Sequence, residues 1–357
     1  MIRVLVVDDS VVVRSAIARA IDPEPDIKLV AVAADGRLAL ERLDRTAPDV
    51  VVLDLEMPGM DGLSTLAEIR RRDPTLPVVI FTYIHFDDQA GAVDALSKGV
   101  TEFVLKPSAA DGIGLAQGYL RNELVPVIRA IARPRTAEPP FPRLAGGATK
   151  VRAHTGEAGT AAGPRPPISA IVVAVSTGGP DALKIIIKEF ADPLPVPMLI
   201  VQHMPTGFTR VLAERLNTLT SATVSEAENG QQVTAGRIFI APGGHHLSVR
   251  RIGPLVVTEL GEGPKENYCR PSADVLFRSA AKIYGSGALG LVLTGMGEDG
   301  MRGSQAIVAA GGTLIAQTME SATVASMPLA VADLAHRLVP LDQIASELVL
   351  FAAASRR

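Results

Sequence analysis

Residues 288–310 read ALGLVLTGMGEDGMRGSQAIVAA. Ala288–Leu293 is solidly apolar and short, which predicts a buried strand. Met301–Ala310 predicts a helix. Between them Gly295, Gly297 and Gly300 give G-x-G-x-x-G, the spacing of a dinucleotide-binding turn. Glu320 follows at roughly the 20-residue distance of a ribose-binding acid. Two observations weigh against a dinucleotide. Glu298 and Asp299 would set two carboxylates beside a doubly charged pyrophosphate. The fingerprint also belongs on the first strand of its domain, whereas little more than one strand remains after this one. The loop is better read as a tight turn that projects Asp299 toward a histidine.

The same strand–turn–helix rhythm extends outward from this stretch. Upstream, strands are predicted at Ile168–Val175, Met198–Gln202 and Arg237–Ala241, and downstream at Thr313–Gln317. Helices are predicted at Asp181–Phe190, Phe208–Leu216 and Ala273–Ile283. Arg237–Thr258, rich in glycine and β-branched residues, suggests an antiparallel insertion. The N-terminal part repeats the rhythm. Strands are expected at Ile2–Val7, Lys28–Ala33, Val50–Leu53, Val78–Thr82 and Glu102–Leu105, with a last helix near Leu115–Ile131. Short, solidly apolar strands alternating with helices imply parallel sheets covered on both faces. The fold class is α/β, with two doubly wound parallel-sheet domains. Residues 134–167 are rich in Pro, Gly and Ala without apolar period, and read as a flexible linker between domains 1–133 and 168–357.

Composition limits the function. Net charge is −3 with no strong basic block, which argues against phosphate-neutralising nucleic-acid binding. The single cysteine, Cys269, excludes an intramolecular disulfide and fits a reducing compartment. No apolar run reaches the ~18–20 residues of a membrane span, and MIRVLVVDDS does not read as a signal peptide. A cytoplasmic protein without membrane insertion is expected.

In each predicted sheet, chemistry-bearing residues sit at carboxyl ends of strands, where ligands bind in such folds. In the first half these are Asp8, Asp9, Asp54, Thr82 and Lys106. Clustered carboxylates repel unless a cation joins them, and Mg²⁺, a hard ion with oxygen ligands, suits them. One carboxylate can then attack a phosphoryl group while the ion and the lysine neutralise charge. In the second half Ser176 precedes TGGP and a helix, His203 ends LIVQ, and Asp299 lies in the opening loop. A serine hydroxyl needs a base, and the base needs a carboxylate to orient it. STGGP also reads as an N-cap and turn or as a phosphate loop. His245 and His246 compete with His203 but open a strand instead of closing one. The GxSxG elbow is not met, because Ala174 stands where its first glycine belongs.

VLVVDDS, LDLEMPGMDG and FVLKP resemble a response-regulator receiver domain, a flavodoxin-like fold, over residues 2–133. The resemblance implies phosphorylation of Asp54, Mg²⁺ held by Asp8, Asp9 and Asp54, Thr82 as switch hydroxyl and Lys106 as phosphate-binding lysine. Phe103 matches the aromatic switch position. TYIHFDDQAG departs from the small residues expected after the fourth strand. VSTGGPDAL, VQHMPTGFTRVLAERL, GRIFIAPGGHHL, PSADVLFRSAA and LTGMGEDGMRG resemble the catalytic domain of the CheB family of chemotaxis methylesterases. Ser326 replaces the glycine expected before Met-Pro. The resemblance implies a Ser176–His203–Asp299 triad with oxyanion donors near Thr177, Gly178 and Met296. It implies hydrolysis of γ-glutamyl methyl esters on methyl-accepting chemoreceptors, deamidation of receptor glutamines, and no cofactor for the esterase step. The phosphodonor would be a chemotaxis histidine kinase, and an unphosphorylated receiver would cover the cleft. A receiver-regulated hydrolase of another substrate, or an adaptor, is the competing reading.

Overall fold

The computed structural model describes residues 1–83, 100–106, 117–132, 167–190 and 192–353. Residues 134–166 of the proposed linker and the stretch 84–91 after the fourth strand lie outside the described residues. Five strands form the first sheet: β1 (Ile2–Val7), β2 (Ile27–Ala33), β3 (Val50–Leu53), β4 (Val78–Thr82) and β5 (Glu102–Leu105). Their order is β2-β1-β3-β4-β5, with every pair parallel. The order reverses between β1 and β3, so a crevice opens beyond their carboxyl ends. Helices α1 (Val11–Ile21), α2 (Gly36–Thr46) and α3 (Gly62–Arg72) begin at Ser10, Asp35 and Asp61. Those side chains accept backbone N–H groups of the first turn, which fixes where each helix starts. Helix α4 (Val125–Ile131) is entered through a π-helical turn, Leu120–Leu124.

The second half runs β6 (Ala170–Val175), α5 (Gly179–Lys188), β7 (Met198–Gln202), α6 (Phe208–Asn217), β8 (Thr223–Glu226) and β9 (Arg237–Ile240). A hairpin follows, β10 (His246–Ile252) and β11 (Leu255–Gly261), then α7 (Ala273–Tyr284) and β12 (Ala288–Val292). The chain ends with α8 (Met301–Ala309), β13 (Thr313–Gln317), α9 (Ser326–Ala330), β14 (Arg337–Val339) and α10 (Leu341–Ala353). Seven strands make one parallel sheet in the order β14-β13-β12-β6-β7-β9-β8. The antiparallel insertion is narrower at its start than Arg237 suggested. β9 joins the parallel sheet, and only β10 and β11 pair antiparallel. Strands β8 and β14 were not legible, since TVSE and RLV are short and lack an apolar run. β6, β7 and β12 lie centrally and are buried throughout.

The two sheets share apolar packing. One continuous cluster contains Leu53, Ile80 and Phe103 from the first half with Val173, Ile200 and Phe208 from the second. The Phe103 and Phe208 rings meet with centroids 4.8 Å apart at 59°. Met296 and Val324 of the second half pack against a cluster that includes Leu120, Leu124 and Ile128.

Candidate active site

A cleft of about 820 Å³ opens at the carboxyl ends of β6 and β7. Ser176, Thr177, His203 and Met296 line one wall, and Glu102 and Tyr119 of the first half line the other. The sheet ladder aligns the catalytic candidates by continuing one residue past each strand. Ser176 N–H donates to Thr294 O (3.0 Å), and His203 N–H donates to Val175 O (3.2 Å). The serine, the histidine and the glycine loop are therefore neighbours in space, though far apart in sequence.

The glycine loop answers to packing and not to a nucleotide. A Cβ on Gly295 would lie 2.2 Å from Met327 Sδ and 2.8 Å from Ser176 Cβ, so a side chain there would displace the Ser176 side chain. Gly300 has φ of +94°, a conformation costly for other residues. Together they let Asp299 turn inward while Glu298 stays at the surface.

His203 Nε2 and Asp299 Oδ2 are 2.7 Å apart. Asp299 is 3% exposed and its acceptors are saturated. Oδ2 also accepts Ala273 N–H (2.6 Å), and Oδ1 accepts Ser272 Oγ–H (2.6 Å), Asn267 Nδ2–H (2.8 Å) and Asp274 N–H (3.3 Å). Asp299 thus caps the N-terminus of α7 from outside, where free N–H groups and the helix dipole favour an anion. Burial would raise its pKa, but His203, Ser272 and Ala273 hold it well below the usual carboxylate range. Burial would lower the His203 imidazole; Asp299, reinforced by the Cys269 sulfur, overrides this and pushes it up to about 10. With Nε2 on the carboxylate, Nδ1 is the ring nitrogen left to face the serine, and it can take a proton only once the imidazole is neutral. Ser176 lies on the same cleft wall, and among the described residues no hydrogen bond joins its Oγ to His203. Thr177 is buried, and Gly178, with φ of +78°, precedes the first turn of α5. Met296 reaches the cleft while packing against the first half.

Several supporting residues escaped the sequence reading. Asn267 Nδ2 bridges two buried acids, donating to Asp299 Oδ1 and Asp274 Oδ2, each at 2.8 Å. Gln202 Nε2 donates to Ser176 O (3.0 Å) and His203 O (3.2 Å), tying the two strand ends together. Thr294 Oγ1 donates to Thr177 O (2.9 Å). Only Ser272 carried a signal, since PSAD before an apolar period marks a helix start; its hydroxyl serves Asp299 instead of capping. His246 uses both ring nitrogens structurally, toward Pro264 O (2.9 Å) and Ser272 N (3.1 Å), which removes it as a competitor of His203.

A second constellation sits at the first sheet's switch point. Lys106 Nζ lies 2.5 Å from Asp54 Oδ2 and 2.9 Å from Asp8 Oδ2. All three residues are buried. Burial raises both carboxyls above their usual range against the pull of Lys106. The same burial would lower the lysine, and the two acids lift it above its ordinary value instead. Thr82 is buried beside them, its hydroxyl donating to Tyr83 O (3.3 Å). Asp8, Asp9 and Asp54 each place an oxygen within 4.8 Å of the others. Asp8 Oδ2 makes no well-directed hydrogen bond despite its closeness to Lys106, and Asp9 is exposed. A hard divalent cation fits such a set: it would satisfy the orphaned oxygen and keep waters on its open side.

Both halves of the chain match known protein families. Residues 171–348 match the CheB methylesterase family model, and residues 4–115 match the response regulator receiver domain. The protein-glutamate methylesterase/protein-glutamine glutaminase of Nocardioides sp. is 39% identical, the alignment covering 98% of this chain and 94% of that protein. The Caulobacter vibrioides protein-glutamate methylesterase/protein-glutamine glutaminase 2 is 41% identical over 96% of each chain. The crystal structure of the Thermotoga maritima CheB methylesterase catalytic domain superposes with a TM-score of 0.51 at 38% identity, covering 52% of this chain and 99% of that one. Matched over nearly its whole length by relatives with this domain pair, the chain belongs to the CheB methylesterase family.

Proposed function

We propose that the chain is a phosphorylation-regulated esterase that hydrolyses γ-glutamyl methyl esters on methyl-accepting chemoreceptors and deamidates receptor glutamines. The carrying observation is the His203–Asp299 hydrogen bond, formed on the cleft that Ser176 lines. His203 Nδ1 accepts the Ser176 proton as Oγ attacks the ester carbonyl. Asp299 holds the ring orientation and stabilises the imidazolium. N–H groups at Thr177 and Gly178, at the start of α5, with Met296 beside them, receive the oxyanion; one such donor contributes about 3–4 kcal/mol. Methanol leaves, and water cleaves the acyl-enzyme.

Residues 1–133 act as the receiver, 134–167 as the linker and 168–357 as the esterase. Asp8, Asp9 and Asp54 would hold Mg²⁺, which supplies charge neutralisation for phosphoryl transfer. Asp54 accepts the phosphoryl group from a chemotaxis histidine kinase, Lys106 contacts it and Thr82 responds to it. No helix among the described residues is long and apolar enough to cross a membrane, in keeping with a cytoplasmic enzyme. Packing of Phe103, Tyr119 and the α4 region over the cleft supports a receiver that restricts access until Asp54 is phosphorylated.

Methanol release from methylated chemoreceptor membranes, with and without a small phosphodonor and Mg²⁺, tests this. Phosphodonor should accelerate release, and Ser176→Ala should abolish it while circular dichroism stays unchanged. Turnover retained by Ser176→Ala would refute the nucleophile.

A further inference from the structure

Glu102 is a buried acid of the cleft that neither the triad nor the phosphoryl site uses. Glu102 comes from the receiver half, where it opens β5. It is 8% exposed and lines the cleft with Ser176, Thr177 and His203. Its neighbour Phe103 is fixed on Phe208, so the strand end is held against the esterase half. Glu102 Oε1 accepts the Phe103 N–H (3.0 Å), while Oε2 completes no hydrogen bond. The Thr177 hydroxyl, the Gly178 N–H and the His203 imidazole face this carboxyl and favour its charge. An acid kept out of water with one oxygen unmatched is costly, and packing alone would be served better by an apolar side chain.

We propose that Glu102 is a built-in ligand of the esterase cleft, its γ-carboxyl occupying the acyl subsite that receives a substrate glutamyl group. This rests on the reading of Ser176 as an esterase nucleophile. The chemistry matches by identity: the product of γ-glutamyl ester hydrolysis is a glutamate side chain, and Glu102 is one. The donors suited to a developing oxyanion are those a bound product carboxyl would face. Burial pushes the Glu102 carboxyl up to about 7, and the surrounding donors offset this only in part. Because the ligand belongs to the same chain, it competes at a high effective concentration. Substrate gains the subsite when β5 withdraws, so the receiver excludes substrate by filling the pocket chemically and not by bulk alone.

The test uses the full chain without phosphodonor, following labelling of Ser176 by a fluorophosphonate probe. Glu102→Leu keeps most of the side-chain volume but removes both oxygens. It should label roughly tenfold faster than the parent. N-acetyl-L-glutamate α-amide, a soluble glutamyl side chain, should slow labelling of the leucine variant and leave the parent unaffected. Glu102→Ala provides the same comparison in a second background. Variants that label at the parent's rate, or a competitor that protects parent and variants equally, would overturn the proposal. Methanol release by the phosphodonor-treated parent is a separate readout. Its absence, with Ser176 still labelled, would refute the ester substrate without altering the labelling comparison.

Discussion

Neither oxygen of Asp299 is left to solvent. One binds His203 and the first N–H of α7; the other takes Ser272, Asn267 and Asp274. The pair's pH dependence follows from the directions of the two shifts. His203 is raised from 6.5 to about 10, so its stabilisation is fully present below 6.5 and is lost as pH rises through about 10. Asp299 is depressed, so its share is present above its unfolded value of 3.8 and is lost as pH falls through its lower folded value. Asp299→Asn removes the charge that lifts the imidazole. The ascending limb of the pH–rate profile should move to lower pH, while the plateau falls by a factor of about 10⁴. Methanol release measured across pH checks both effects. Asn267→Ala should leave Asp274 and Asp299 facing each other with a donor missing from each. A loss of about 1–3 kcal/mol in thermal unfolding is expected, together with a lower kcat. Ser176, His203 and Asp299 stood out as candidates because each ends a strand or follows one, and the structure brings all three to one end of the sheet. Asn267 did not: it sits in an irregular segment at φ of +51°, and nothing in ENYCR announces that one amide serves two distant acids.

At the scale of elements, the β12–α8 loop decides where Ser176 stands. Gly295→Ala puts a methyl group into Met327 Sδ and Ser176 Cβ. The strand end must shift to admit it, and a displacement near 1 Å costs about 10²-fold in rate. We expect kcat to fall by that order with far-UV circular dichroism unchanged. Alternating apolar runs revealed most strands, since central parallel strands have no polar face to disguise them. The edge strands β8 and β14 have fewer buried positions and carry Glu226 and Arg337, so pairing with β9 and β13 supplies what the local sequence lacks. The G-x-G-x-x-G spacing could have misled, because glycine spacing reports backbone geometry. The adjoining acids carried the chemical information.

For the whole molecule, the residues that the first half brings to the cleft were the least legible feature, although the resemblance implied a receiver lying over it. Glu102 read as the first residue of an ordinary strand, and Met296 as an oxyanion donor only. Their neighbours across the two halves come from surfaces that no local pattern encodes. Removing residues 1–150 should uncover Ser176 and raise basal methanol release on the order of tenfold, within the usual range of coupling between two sites. An unchanged or lower rate would contradict inhibition by the receiver. The shared apolar cluster has a thermal consequence as well. With Phe103 packed at a tilt against Phe208 and one core continuous through both sheets, neither half can melt without exposing packing that the other relies on. Heating the resting enzyme should therefore give one calorimetric endotherm, resolving into two if phosphate on Asp54 parts the halves as proposed.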